Sequence, residues 1–216
     1  MNTLVEKPAA LKKPNRQRRK TRTALINAAE QLFARMPVER VTVDDIVDTA
    51  DVAKGSFYNH FGDKNALAEE VYDDIAKDLE GRISENNEGI PDPAFRIARA
   101  LCTVTEYARS HPQRLQALLS LESTRVNYVS QLNKGLARDV QEGLDSGRLG
   151  GVDVEAGVLT VVGLVGITMR SVTSGHVEGY ARTLGAAMAG CVLRALCVEP
   201  AEAARLGSEA AADIVE

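Results

Sequence analysis

Apolar residues recur at helical spacing along nearly the whole chain, and no segment of useful length alternates like a half-buried strand. In the first periodic segment Leu25, Ala29 and Phe33 share one helical face, and Pro37 ends the pattern. The pattern predicts an all-α fold of about nine helices, with a tenth possible in the Ala/Glu-rich C-terminal tail.

The second and third predicted helices are short and lie close together. Thr42 is a natural N-cap, and two aspartates follow in the first turn, where the helix dipole favours negative charge. Asp51 and Val52 form a turn, and "KGSFYNHF" follows at once as another helix. Two short helices joined by a tight turn beneath a longer one are the plan of a helix-turn-helix.

These predictions divide the chain into four parts. Residues 1–17 are expected to form a flexible basic arm, 18–65 the helix-turn-helix domain, 66–200 a helical body and 201–216 a tail. In the body, we predict one long helix over about 122–146 and two final helices over about 153–173 and 177–198. Glycines interrupt the longest apolar run, so we expect no membrane span and a cytoplasmic protein.

The charge of −4 conceals an asymmetry between the two ends of the chain. Residues 1–64 hold 12 Lys/Arg against 8 Asp/Glu, and the remainder holds 14 against 22. The basic excess is steepest before and within the first turns of the first helix, where cations oppose the helix dipole. A polyanion partner explains this placement better than local stability does, although a solvated tail is the simpler alternative.

The segment 54–64, "KGSFYNHFGDK", holds three of the nine aromatic residues of the chain. On a helix Phe57 and Phe61 share one face and are expected to enter the core. The residues between and before them present amide, hydroxyl and ammonium groups suited to base edges and phosphates. No metal-ligand or nucleophile spacing accompanies His60, and the three cysteines form no CxxC motif. We therefore expect no metal, no cofactor and no catalytic site.

"RKTRTALINAAEQLFA" and "VTVDDIVDTADVAKGSFYNHFGDKNAL" together closely resemble the N-terminal domain of TetR-family transcriptional regulators. The resemblance covers about residues 18–67. It implies an all-α homodimer that places its third helix in the DNA major groove and holds a small-molecule effector in the C-terminal domain, 66–200. The DNA-binding residues carried over by motif position are Thr42, Lys54, Gly55, Ser56, Tyr58, Asn59, His60 and Lys64, with Arg18 and Arg22 as looser assignments.

The last two helices of the body carry small residues at helical spacing, which permit close helix approach. A four-helix bundle from two protomers would use this spacing, and intramolecular packing is the alternative. The predicted dimer residues are Leu159, Gly163, Gly166, Arg170, Ala186, Ala189, Gly190 and Leu193.

The effector is expected between the fourth, fifth, seventh and eighth helices, where it would tilt the fourth helix and change the spacing of the two recognition helices. The candidate ligand-binding residues are Thr105, Tyr107, Asn127, Tyr128, Thr168 and Met169. The resulting prediction is a repressor released from a palindromic DNA operator by a small molecule. A transcriptional activator of the same family, and a helical interaction adaptor that does not bind DNA, remain alternatives.

Overall fold

The computed structural model describes residues 16–122, 133–174 and 180–216, and it is all-α throughout these ranges. The helices are α1 (Arg16–Phe33), α2 (Val43–Ala50), α3 (Lys54–Tyr58), α4 (Lys64–Asn86), α5 (Pro93–Ser110), α6 (Pro112–Glu122), α7 (Lys134–Asp145), α8 (Val154–Thr173), α9 (Tyr180–Ala195) and α10 (Pro200–Ile214), with a 3-10 turn at Val38–Arg40. The predicted all-α class is confirmed. The expected arm lies almost wholly outside the described residues, as does the first part of the long helix predicted over 122–146.

The N-terminal unit forms because its short helices share one core with the longer ones. Leu25 and Phe33 of α1, Ile46 of α2 and Phe57 of α3 are all buried in the same apolar cluster. That cluster continues into α4 and α6, so the helix-turn-helix rests directly on the body. Since α3 has only five helical residues, its position depends on this shared packing and not on its own helix propensity.

The body is built around α5, which is buried along most of its length. Helices α7, α8, α9 and α10 pack against it or against each other in a second apolar cluster. Asp92, Asp153 and Glu199 accept backbone N–H groups at the starts of α5, α8 and α10, which explains where these helices begin.

The tenth helix that the sequence leaves possible is present as α10, and it packs as a full element of the body instead of forming a separate tail. Ala203 and Ala210 are completely buried. A Cβ added at Gly207 would lie 2.5 Å from the backbone oxygen of Ala186, so only glycine allows α10 to approach α9 this closely. Arg148 and Arg99 then tie α10 to the body through Glu202 and Asp213.

Candidate nucleic-acid interface

Helix α2 is fixed at its start by reciprocal hydrogen bonds between Thr42 and Asp45. The backbone N–H of Asp45 donates to Thr42 Oγ1 at 3.1 Å, and the backbone N–H of Thr42 donates to Asp45 Oδ2 at 2.8 Å. The Thr42 hydroxyl and, to a lesser extent, the Thr42 backbone N–H donate to the Asp45 carboxylate and so lower the pKa of Asp45. Thr42 is therefore the N-cap that the sequence predicts, and its hydroxyl also donates to Asp45 Oδ2.

The turn between α2 and α3 depends on one left-handed residue. Asp51 has φ 52° and ψ 51° and ends α2, and the N–H of Val52 returns to Val47 O at 3.0 Å. Aspartate tolerates this backbone region better than most residues with a side chain. The turn lies where the sequence places it, and α3 follows it directly and packs against α2.

Helix α3 has one buried and one exposed face. The predicted burial of Phe57 and Phe61 is confirmed, and their ring centroids lie 5.8 Å apart, although α3 ends at Tyr58 and Phe61 therefore follows the helix. Tyr58 is 56% exposed and Asn59 is exposed, while Ser56 and His60 are half-buried. A Cβ at Gly55 would meet nothing within 4 Å, so the surface around the start of α3 is open.

Basic side chains from α1 and α3 border this exposed face. Lys54 pairs with Asp44 at 2.7 Å, which places the first turn of α2 beside the first turn of α3. Arg22 pairs with Glu70 at 2.7 Å and lies over the Phe61 ring. The structure therefore brings predicted residues of α1 to the end of α3, next to the exposed face.

Arg18 and His60 complete the edge of this surface. The Arg18 guanidinium points to the carbonyl oxygen of Asn59 at 3.5 Å. Partial burial lowers the pKa of His60, and the nearby positive charges of Arg18 and Arg22 lower it further. The His60 imidazole therefore lies beside the two cations Arg18 and Arg22.

Lys64 has a different environment from the one expected of a free phosphate ligand. Its Nζ donates to the carbonyl oxygens of Val38 and Val41 at 2.6 and 2.7 Å, and a third carbonyl, of Glu39, lies 3.4 Å away. The ammonium thus fastens the 3-10 turn to the start of α4. The acid partners Asp44 and Glu70 and these carbonyls could not be identified from the sequence, because they come together only in three dimensions.

A cavity of about 890 Å³ opens between α4, α5, α7 and α8, the four helices between which an effector is expected. Of the predicted ligand-binding residues, Met169 lines it. Asn127 and Tyr128 lie outside the described residues.

The structure differs from the prediction at Thr105, Tyr107 and Thr168, because these three residues do not line the cavity. The two threonine hydroxyls donate to the helical carbonyls of Leu101 and Leu164. The Tyr107 hydroxyl donates to Asp78 at 3.0 Å, and burial raises the pKa of Tyr107.

The polar residues that do line the cavity include Asn87, Arg96 and Asp139. No periodicity marks them, since they come from distant parts of the chain.

The structure also differs from the prediction for the dimer residues on α9. Ala189 and Leu193 have no exposed surface within one protomer, and Gly190 is buried beneath α10. The small-residue face of α9, including Ala186, is thus used inside the protomer. On α8, in contrast, Leu159 is 43% exposed and Ile167 is 56% exposed.

Helix α8 keeps most of its predicted dimer residues at the surface. Gly163 and Arg170 are exposed, and Gly166 lines the cavity.

Among the described residues, α8 is also the one helix long and apolar enough to cross a membrane by length and composition, although a core helix of a soluble protein meets the same test. In those ranges no group of three or more His, Cys, Asp or Glu could hold a metal ion.

The helix-turn-helix geometry is typical of DNA-binding domains, and comparison with known proteins relates this part of the chain to one family. Residues 25–71 match the family model for bacterial regulatory proteins of the tetR family. The HTH-type transcriptional repressor KstR2 of Rhodococcus jostii is 38% identical over 64 residues, covering 30% of this chain and 31% of that protein. The HTH-type transcriptional regulator TtgR of Pseudomonas putida is 30% identical over 96 residues, covering 44% and 45%. These matches span less than half of each relative.

Solved structures show the same fold over most of the chain. A putative tetR family transcription regulator from Shewanella sp. PV-4 has a TM-score of 0.73 at 18% identity, covering 83% of this chain and 99% of that one. A gamma-butyrolactone receptor, described as ArpA-like, has a TM-score of 0.64 at 22% identity, covering 92% and 99%. The sequence match thus relates residues 25–71, which hold the helix-turn-helix, to the tetR family, and the solved structures show that most of the chain has the same fold as these regulators.

Proposed function

We propose that this protein is a homodimeric repressor that binds a palindromic DNA operator and is released by a small molecule. The observation that carries the proposal is the exposed face of α3. Tyr58 projects from it, Asn59 is exposed just after its end, Gly55 leaves room for a close approach, and Lys54 stands at its start. These groups can contact base edges and phosphates, whereas α3 has no comparable polar face toward the core.

The exposed apolar stripe on α8 supports the homodimer. Leu159, Gly163 and Ile167 are exposed at spacings of four residues, so they form one stripe along the helix. Burying this stripe against a second copy would remove apolar area from water and set two α3 helices in two-fold symmetry. Two such helices suit a palindromic site.

The position of α4 supports control by a ligand. Leu79 and Ile83 of α4 line the cavity. On α6, Arg114 contacts Asp74 and Asp78 of α4 at 2.6 and 3.0 Å and Glu30 of α1 at 3.3 Å. A ligand that moves α4 therefore acts on ion pairs that also hold α1, and it shifts DNA binding only as far as it prefers one arrangement.

The experiment selects genomic fragments with purified protein and compares the wild type with Tyr58→Ala and Tyr58→Phe. We expect an enriched palindromic sequence that Tyr58→Ala loses. Because Tyr58 is exposed, all three proteins should have the same melting temperature, so that misfolding does not explain the loss. Tyr58→Phe separates the contribution of the ring from that of the hydroxyl. No enriched sequence at any salt concentration would contradict DNA binding and favour the interaction adaptor.

A further inference from the structure

Thr42 is the predicted DNA-binding residue at the start of α2, and its donors are used within that helix. Its hydroxyl donates to Asp45 Oδ2 at 2.6 Å, and its backbone N–H donates to the same oxygen at 2.8 Å. A threonine hydroxyl has one proton and therefore one hydrogen bond to donate. A phosphate oxygen at Thr42 would have to displace the Asp45 carboxylate, whose negative charge repels it.

Lys64 is the predicted DNA-binding residue at the start of α4, and its donors are used as well. An ammonium group has three N–H donors. Three carbonyl oxygens accept from Lys64 Nζ, those of Val38, Glu39 and Val41 at 2.6, 3.4 and 2.7 Å. These carbonyls occupy the hydrogen bonds that a phosphate would need. In this arrangement Lys64 holds the 3-10 turn and not an external anion.

Arg40 lies in this turn, between two of the residues whose carbonyls bond Lys64. Its side chain is exposed and forms no hydrogen bond or ion pair with any residue that the structure describes. Two residues of extended chain span at most about 7 Å, so the Cα atom of Arg40 lies within that distance of the Cα atom of Thr42. An unused guanidinium is thus attached to the backbone at the point where the starts of α2 and α4 meet.

The acids nearest to Arg40 along the chain leave its charge available. Glu39 is exposed and forms no ion pair within the described ranges. Asp44 pairs with Lys54 at 2.7 Å, and Asp45 accepts the hydrogen bonds at the N-cap of α2. A guanidinium can bond two phosphate oxygens at once through parallel N–H donors. The chemistry of Arg40 therefore suits a phosphate group of a polyanion.

We propose that Arg40 binds a phosphate of the DNA backbone and that Lys64 is its positioning residue. Lys64 bonds the carbonyls of the residues before and after Arg40, so the guanidinium extends from a fixed turn. The inference rests on the proposed function in taking DNA as the partner. A phosphate contact carries no sequence information, so Arg40 adds affinity and salt dependence without adding sequence preference.

The test is fluorescence anisotropy of the dimer with two labelled duplexes, the enriched operator and the same duplex with altered half-sites, over a series of salt concentrations. We expect Arg40→Ala to weaken binding to both duplexes by the same factor, about tenfold or more at about 0.1 M salt. The slope of log affinity against log salt should decrease in magnitude by about two, one for each protomer. Arg40→Lys keeps the charge and should keep the slope, with about threefold weaker binding because the bidentate geometry is lost.

Arg35→Ala is the matched control for charge. Arg35 is also exposed, and it lies before the turn that Lys64 holds. Its substitution should change affinity by about twofold or less, because it removes only a distant, screened charge. Both arginines are exposed, so their variants should keep the wild-type melting temperature. Equal losses of affinity for Arg35→Ala and Arg40→Ala would assign the effect to general charge and overturn the contact.

A double-mutant cycle tests the role of Lys64 at a temperature at which all variants are folded. If Lys64 acts by fixing the turn, Arg40→Ala should weaken binding by about threefold or less in the Lys64→Ala background, because the guanidinium is no longer held in place. Losses that multiply in the double variant would show that Lys64 contacts DNA independently, and they would overturn its positioning role.

The same titrations distinguish this inference from the proposed function. If the wild type binds neither duplex, DNA binding fails and the inference fails with it. If the wild type binds the operator, and Arg40→Ala binds it equally well with the same salt slope, the inference fails and the proposed function stands.

Discussion

The cations of the helix-turn-helix and those of the body are bonded in different ways. On α3, Lys54 forms a single ion pair with Asp44, and the two side chains are 55% and 63% exposed. In the body, Arg96 and Asp139 are 11% and 8% exposed, and Arg96 has three further acceptors. An exposed single pair contributes little and exchanges easily, whereas a buried one is costly to break.

We expect this difference to separate charges that are available to a partner from charges that stabilise the fold. Arg16, Arg19 and Lys20 are exposed at the start of α1, where the helix dipole disfavours them. Arg148, in contrast, bonds both Asp92 and Glu202 and connects three parts of the body. The N-terminal cations remain available to a polyanion because the fold makes little use of them.

Breaking the Arg96 network should have the largest effect on stability. We expect Arg96→Met to lower the free energy of unfolding by about 3–5 kcal/mol, since Asp139 is left as a buried charge without its cation. Urea unfolding at a fixed protein concentration measures this. Arg205→Ala, which removes an exposed pair with Glu209, is the control and should change stability by about 0.5 kcal/mol or less. Equal effects of the two variants would refute the distinction.

Lys64 is a cation of the helix-turn-helix unit that stabilises the fold through its hydrogen bonds, so its substitution is the second test. We expect Lys64→Ala to lower the free energy of unfolding by about 1.5–3 kcal/mol, because the carbonyls of Val38 and Val41 lose a charged donor. Lys20→Ala, at an exposed position on α1, should leave stability nearly unchanged. Thermal and urea unfolding of both variants would show this. A stable Lys64→Ala protein with weaker, less salt-dependent DNA binding would instead favour the phosphate contact predicted from the motif.

Asp44 tests whether the pair at the start of α3 competes with DNA. We expect Asp44→Asn to strengthen DNA binding by about two- to fivefold at low salt, because it releases Lys54 and removes a negative charge beside the phosphate path. Fluorescence anisotropy with labelled duplex measures the affinity. Asp48→Asn removes an exposed acid of the same helix without freeing Lys54. If both variants strengthen binding equally, general charge explains the gain.

His60 should give the smallest effect, a pH dependence of DNA binding. In the free protein its pKa lies below the ordinary 6.5, mainly because of burial and then because of Arg18 and Arg22. This lowered pKa makes the free energy of unfolding decrease as pH falls below 6.5. DNA phosphates favour the imidazolium, so the complex takes up protons and affinity should rise as pH falls through that region.

The expected rise for His60 is about two- to threefold, measured by anisotropy across this pH range. His60→Gln should remove it, and His111→Gln on α5's C-terminal side should retain it. An identical pH profile for wild type and His60→Gln would assign the dependence to another group.

Much of the N-terminal unit could be predicted because its signals are local. The Thr42 cap, the turn at Asp51 and the buried Phe57 and Phe61 depend on residues a few positions apart, and each lies as predicted. The ligand-site residues were predicted less well, since Thr105 and Thr168 use their hydroxyls on their own helices. A polar residue in an apolar helix does not reveal which neighbour it faces.

The amino-acid sequence by itself determined the helices, the helix-turn-helix and the basic face of α1 and α3, because periodicity, capping and charge act over a turn or two of chain. The tertiary structure alone decided which small residues of α9 lie beneath α10, which carbonyls hold Lys64, and how Asn87, Arg96 and Asp139 meet at one cavity. Those pairings join residues up to 43 positions apart. Only the packing of whole helices against each other brings such residues within hydrogen-bond distance.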